Sequence, residues 1–295
     1  MKTKSFLDFI GNTPLIKATQ LIKNKNITLL LKLEGNNPGG SVKDRAAYSM
    51  IKSAIDRNEI KKGDKLIEAT SGNTGIALAM IANAYAIDIE LVMPENSTKE
   101  RIQTMQAYGA KVILTPAITG ILGSRDYADN KVAKEGYIML NQFANDDNWK
   151  AHYRTTGPEI WRDTKGSITH FVSAMGTTGT IMGTSTFLKE QNNAIQIVGA
   201  QPTDNSKIPG IRKWPVAYLP KIFNPKKVDQ IIEVSEADAR AMTKRLAKEE
   251  GILAGMSSGG AVTAALKLAE TLDRGVLVAI ICDRGDRYLS SDLFN

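Results

Sequence analysis

One cysteine, Cys282, occurs in 295 residues, so no disulfide can form within the chain. With only two histidines, no Cys/His cluster of zinc-binding spacing exists, and no metal site is expected. Long apolar runs are also missing. The longest, such as VLVAII (276–281), fall far short of the ~20 residues that span a bilayer. The opening MKTKSFLDFIGNTPLI has no continuous apolar segment of the secretory kind, so a cytoplasmic protein without membrane contact is expected. Aromatic residues make up 6% and the formal net charge is +7, but acids interrupt the basic residues, as in KRLAKEEG (244–251). That pattern describes a solvated surface able to attract small anions, rather than a nucleic-acid-binding face.

What is present is ordinary in amount and regular in order. Hydrophobic residues at 42% and charged residues at 23% suit a globular chain with a sizeable core and exclude a disordered or collagen-like one. Strand-like and helix-like segments alternate: ITLLLKL (27–33), a helix over 41–58, KLIEA (65–69), a helix over 76–86, IELVMP (89–94) and a helix over 99–108. Then follow KVILTP (111–116), a helix over 124–135 and YIMLNQ (137–142), read as a further strand. The second half repeats the rhythm with THFVSA (169–174), a helix over 180–191, QIVGAQ (196–201), QIIEV (230–234), two helices and the 276–281 strand. A polar, proline-punctuated stretch at 203–225 interrupts it, and an irregular segment of that length is often functional. The expected class is α/β, with parallel-rich twisted sheets covered by helices.

Three junctions, read as strand-to-helix turns, consist almost wholly of small residues: Thr70-Ser71-Gly72-Asn73-Thr74-Gly75, Gly176-Thr177-Thr178-Gly179-Thr180 and Ser257-Ser258-Gly259-Gly260. Ligands of open α/β sheets bind at such turns, where free helix N–H groups favour an anion. Ser, Thr and Asn also cap helices, so each turn alone admits that plainer reading. None has the spacing of a nucleotide loop. Lys43, in Gly39-Gly40-Ser41-Val42-Lys43-Asp44-Arg45, stands just inside a helix start, where a cation opposes the helix dipole. It is either a surface charge or, if desolvated, a nucleophilic amine able to form a Schiff base.

Taken together, Ile10-Gly11-Asn12-Thr13-Pro14-Leu15, S-V-K-D-R (41–45), T-S-G-N-T-G-I-A (70–77), M-G-T-T-G-T (175–180) and Arg287-Tyr288-Leu289-Ser290 resemble the pyridoxal-phosphate enzymes of fold type II. That is the tryptophan synthase β-like fold, and within it the sequence is similar to the O-acetylserine sulfhydrylases, or cysteine synthases. Asn36-Asn37-Pro38-Gly39-Gly40-Ser41, Ile208-Pro209-Gly210-Ile211-Arg212 and Cys282-Asp283-Arg284-Gly285-Asp286-Arg287 resemble B-type members.

The resemblance implies the cofactor pyridoxal 5'-phosphate, attached to Lys43, which would also move the α-proton. Gly176, Thr177, Thr178, Gly179 and Thr180 would cradle its phosphate, Asn73 would meet its ring hydroxyl, and Ser257 its ring nitrogen. Thr70, Ser71, Gly72, Thr74 and Gln142 would hold the substrate carboxylate. Arg212 would help bind an anionic sulfur donor, or else pair with a nearby acid. Cys282 is a small core residue by type and a pocket-lining residue by resemblance. The implied reaction is β-replacement, making L-cysteine or S-sulfocysteine from O-acetyl-L-serine and sulfide or thiosulfate, by ping-pong through an α-aminoacrylate. Related β-replacement enzymes, such as cystathionine β-synthase or a lanthionine-forming cysteine desulfhydrase, share these motifs. A homodimer is implied, with a smaller mobile domain at 41–145 and a larger cofactor-anchoring domain made of 1–40 plus 146–295. His152, His170, Met175, Met256, Trp161 and Trp214 read as packing residues, with Trp214 in the segment able to report closure.

Overall fold

The apolar run at 276–281 becomes the centre of the larger of two sheets in the computed structural model, which describes residues 4–70 and 72–295. Strand β9 (Gly275–Ile281) lies between β2 (Ile27–Leu33) and β6 (His170–Ala174), parallel to both. The sheet extends through β7 (Gln196–Pro202) and β8 (Gln230–Val234) on one side and the short antiparallel β1 (Leu15–Lys17) on the other, in the order β1-β2-β9-β6-β7-β8. A parallel sheet is covered on both faces, which is why β9 reads as a continuous apolar run. Leu277, Ala279 and Ile281 enter a core with residues of α8 (Glu236–Glu250) and α9 (Met256–Ala269). Val278 and Ile280 point the other way, towards α6 (Thr156–Asp163) and α7 (Gly179–Gln191). Each such buried Leu, Val or Ile side chain contributes about 1.5–3 kcal/mol, and Ala279 less.

The smaller sheet is wholly parallel: β3 (Lys65–Ala69), β4 (Asp88–Pro94) and β5 (Lys111–Thr115). Met50 and Ile51 of α1 (Lys43–Asp56) and Ile76, Leu78 and Ile81 of α2 (Asn73–Ala84) share one core with Leu91 and Met93, joined by Met105 of α3 (Lys99–Ala107). Ala128 of α4 (Gly120–Glu135) joins Ile67, Val92 and Tyr137 in another core. Helix α5 (Asp146–Arg154) connects the two regions, packing on both α1 and α7.

Three strands, β2, β3 and β8, have the bounds read from sequence. Two readings are corrected. Residues 137–142 are not a strand: Ile138 alone makes a parallel bridge to Leu66, and at Asn141 the backbone turns left-handed (φ 53°), carrying Gln142 out of the sheet. Ser257-Ser258-Gly259-Gly260 is not a strand-to-helix turn either. It is the first turn of α9, which follows α8 through a linker where Ala254 bridges Arg284. Three helices, α2, α4 and, by one residue, α7, begin earlier than expected because their opening turns are polar or glycine-containing and show no apolar period. Among the described residues no helix is long and apolar enough to cross a membrane, and no group of His, Cys, Asp or Glu could hold a metal ion.

Candidate active site

A cavity of about 550 Å³ opens between the two sheets, and the first turns of α1, α2, α7 and α9 all reach it. The backbone stops before each of these helices without a side-chain cap: Val42, Gly72, Thr178 and Gly255 occupy the cap positions. By contrast, Ser235 caps α8, accepting from Asp238 N at 3.0 Å. Neighbouring hydroxyls take single N–H groups, Ser41 Oγ from Lys43 N at 3.2 Å and Thr177 Oγ1 from Gly179 N at 3.4 Å. No residue at the cap position itself does so, and the next N–H groups of α2 and α7 face an anion without a capping side chain.

Lys43 is the first residue of α1 and lines the cavity. The segment before it is stitched to the exit of β9: Ser41 bridges Asp283, and Val42 N donates to Cys282 O at 2.8 Å. Two residues further on, Arg45 is buried and saturated. Its guanidinium donates to Glu34 (2.7 and 2.8 Å) and to Glu159 (2.7 and 2.8 Å), while Lys32, fully buried within β2, reaches Glu159 at 2.8 Å. Burial alone would raise the Glu159 pKa, but Arg45 and Lys32 pull it down to about 2. The start of α1 is thus tied to the larger sheet and to α6.

On α2, Asn73 Nδ2 donates to Asp283 Oδ2 at 2.7 Å, while its Oδ1 accepts from Arg287 at 2.5 Å. Thr74 donates to Gln142 Oε1 at 2.8 Å, so the turn that takes Gln142 out of the sheet delivers it here. Nothing would lie within 4 Å of a Cβ at Gly72, which leaves open space before the helix. Ser71 lies outside the described residues.

After β6, Gly176 passes so close to the 203–225 segment that a Cβ would stand 2.6 Å from Gly210 O. Thr178 adopts a left-handed backbone (φ 71°), and its buried hydroxyl has no protein partner. Asn148 of α5 donates to Thr177 Oγ1 at 3.2 Å and to Gln142 O at 2.7 Å. Thr180 meets His152 Nε2 at 3.3 Å. Burial drives the His152 pKa down to about 3, so this ring is a neutral packing and hydrogen-bonding group. Gly179 does not line the cavity; it is the first residue of α7, closely packed against the Asn148 amide.

Ser257 lines the cavity from α9, and Ser258 accepts from Cys282 N at 2.9 Å. Cys282 is half-buried, packed against the core under β9 and also on the cavity wall, and burial pushes its thiol up to about 11 although Lys43 opposes this. Arg212 also faces the cavity. The acid Asp204 nearby pairs with Lys213 instead, at 2.8 Å. Trp214 is more than packing: it lines the cavity and donates from Nε1 to Gly176 O at 2.8 Å. Met175 and Met256 are buried, as read from sequence. Around one space the structure brings together Lys43, Thr70, Gly72, Asn73, Thr74 and Gln142, and opposite them Gly176, Thr177, Thr178, Thr180, Arg212, Ser257 and Cys282. Sequence reasoning missed the supports, Asn148 above all, for which no local signal exists; Asp283 and Arg287 sat in a quoted motif without an assigned task.

A family model described as pyridoxal-phosphate dependent enzyme matches residues 6–283. The chain belongs to this family. It is 58% identical over 289 residues to cysteine synthase B of Pseudomonas aeruginosa, covering 98% of this chain and 96% of the relative. It superposes on the crystal structure of cysteine synthase from Entamoeba histolytica with a TM-score of 0.94 at 36% identity, covering 100% of this chain and 91% of the other. An O-acetylserine-dependent cystathionine β-synthase from Helicobacter pylori gives a TM-score of 0.89 at 36% identity, covering 100% of both chains. Within the family the chain falls in the cysteine synthase B group.

Its cofactor is pyridoxal 5'-phosphate, and the residues present fit that group. They offer an amine at Lys43, a close-approach backbone at Gly176, an uncapped helix start and the unpartnered buried hydroxyl of Thr178 for a phosphate oxygen.

Proposed function

We propose that the chain forms L-cysteine and acetate from O-acetyl-L-serine and sulfide, and S-sulfocysteine when thiosulfate replaces sulfide. The observation that carries the reading is one amine, Lys43, on a cavity shared by two uncapped helix starts, α2 and α7. One start suits the cofactor phosphate and the other an amino-acid carboxylate.

Bound pyridoxal phosphate supplies the electron sink that acidifies the α-hydrogen of an attached amino acid. Lys43 anchors the cofactor, and its freed amine takes the α-proton and later returns it. Gly176, Thr177, Thr178 and Thr180 would hold the phosphate, with Gly179, packed against Asn148, fixing the turn behind them. Asn73, oriented by Asp283 and Arg287, meets the ring hydroxyl. Ser257, on the cavity wall, would face the ring nitrogen with a neutral hydroxyl rather than a carboxylate, and so would not hold a proton on it. Thr70, Ser71, Gly72 and Thr74, with Gln142, bind the substrate carboxylate. The Cβ–oxygen bond to acetate breaks first and the sulfur–Cβ bond forms in a second half-reaction, which is a ping-pong order. Arg212 and Cys282 border the space for the sulfur donor. Residues 41–145 form the smaller unit that closes over substrate, against a larger one of 1–40 plus 146–295. The enzyme works as a cytoplasmic homodimer on small molecules.

The likeness to the Helicobacter pylori enzyme favours a second reading, in which a thiol amino acid replaces sulfide. Both readings are tested by following the visible absorption of the holoenzyme as O-acetyl-L-serine, then sulfide, thiosulfate or homocysteine, are added. The expected result is a band that changes with O-acetyl-L-serine and returns with sulfide as cysteine and acetate form one to one. Return with homocysteine alone selects the second reading, and a band indifferent to O-acetyl-L-serine overturns both. Lys43→Ala should lower turnover by at least about a hundredfold.

A further inference from the structure

The cavity wall holds four cationic side chains, Lys43, Arg101, Arg125 and Arg212, and among the described residues not one carboxylate. Lys43 belongs to the chemistry. Arg101 is engaged by Tyr288 through a side-chain hydrogen bond to the phenol, with its guanidinium 5.1 Å from the ring centroid. Arg125 and Arg212 are left. Neither makes an ion pair among the described residues, although Asp126 and Asp129 share α4 with Arg125 and Asp204 lies near Arg212.

Arg125 is exposed at the cavity wall and approaches an aromatic ring rather than an acid. Its guanidinium lies 5.9 Å from the Phe143 ring centroid, and that ring meets Trp214 edge-on at 5.4 Å. Trp214 in turn donates to Gly176 O at 2.8 Å, and Arg212 N donates to Met175 O at 2.8 Å. This row runs from the Arg125 guanidinium on α4, at the smaller sheet, to the turn after β6, at the larger, where the Arg212 backbone is bonded and its side chain lines the same cavity. Glu68, behind α4, feels Arg125; burial pushes its carboxyl up to about 7, so at neutral pH it is only partly ionised and offsets only part of that charge. A guanidinium beside an aromatic ring keeps its N–H fork free for a planar or tetrahedral oxyanion.

We infer that Arg125, acting with Arg212, recognises a tetrahedral sulfur oxyanion, the sulfonate end of thiosulfate, and so sets the preference between sulfur donors. The inference rests on the thiosulfate reading proposed above. Hydrosulfide is compact and carries no oxygen, so it has no use for two N–H forks, whereas thiosulfate presents three oxygens and two charges.

The test compares kcat/KM for thiosulfate and for sulfide in the wild-type holoenzyme and in Arg125→Leu, Arg125→Lys and Arg212→Leu. Arg125→Leu should lower the thiosulfate-to-sulfide ratio at least about tenfold, the scale of one lost charge-assisted hydrogen bond, with Arg125→Lys in between. An unchanged ratio, or parallel losses with both donors, overturns the assignment. A fall in Arg212→Leu alone leaves the thiosulfate reading intact and removes Arg125. If the wild type does not turn over thiosulfate, that reading fails by itself. Inorganic sulfate then serves as probe: its inhibition of the sulfide reaction must weaken at least about tenfold in Arg125→Leu, and equal inhibition overturns the role of Arg125.

Discussion

Thr178 shows how one residue can store an expectation of ligand. Its left-handed backbone (φ 71°) costs a threonine roughly 1–2 kcal/mol, and its hydroxyl is buried without a partner. Both costs fall at a helix start without a cap, on the cavity wall. A phosphate oxygen there would satisfy the hydroxyl and the free N–H groups at once. Thr178→Ala should therefore weaken cofactor affinity about tenfold, measured by titrating the apoenzyme and following absorbance, while leaving apoenzyme stability the same or slightly higher. Equal affinity would remove Thr178 as a ligand. Cys282 illustrates the reverse. With its thiol pushed up to about 11 by burial, it stays protonated at neutral pH and shapes the wall rather than attacking anything.

For elements, the question is what keeps the start of α1 in register with the turns it faces. Arg45 answers it with paired hydrogen bonds to Glu34 and to Glu159, and Lys32 completes a buried group of two cations and two carboxylates. Removing one member leaves an uncompensated buried charge. Arg45→Met should cost about 3–5 kcal/mol in denaturant unfolding, and a cost below about 1 kcal/mol would mean that apolar packing alone holds α1. The sequence showed Arg45 as part of a motif, but its partners lie 11 and 114 positions away, beyond any local pattern. Arg125 is similar: its helix was foreseen, its helix face was not.

Across the whole molecule, buried titratable groups set the response to pH. Burial raises Glu68 from its ordinary value of 4.5 to about 7. The native state then holds a proton that the unfolded chain has lost, so this group's contribution to stability declines as pH rises from about 4.5 to about 7. Asp44, raised to about 7 by burial, acts with the same sign. His152 acts oppositely: it is neutral in the fold, with a pKa near 3 against an ordinary 6.5, so its contribution is lost as pH falls below 6.5. Glu68→Gln should cut the stability difference between pH 5 and pH 8 by up to about 3 kcal/mol, read from denaturant midpoints. An unchanged difference would show that Glu68 is ionised in the fold.

By itself the sequence determined the alternation of strands and helices, the parallel class and the small-residue turns, because apolar period and glycine content act over a few residues. It also held the motifs that name the family. Tertiary structure alone decided that these turns meet in one cavity, that Gln142 leaves its sheet to reach Thr74, and that Asn148 braces the turn after β6. It alone left Arg125 and Arg212 without acid partners on a wall free of carboxylates among the described residues. Those outcomes depend on contacts between residues far apart in the chain, and a charge reveals what it recognises only when its neighbours in space are known.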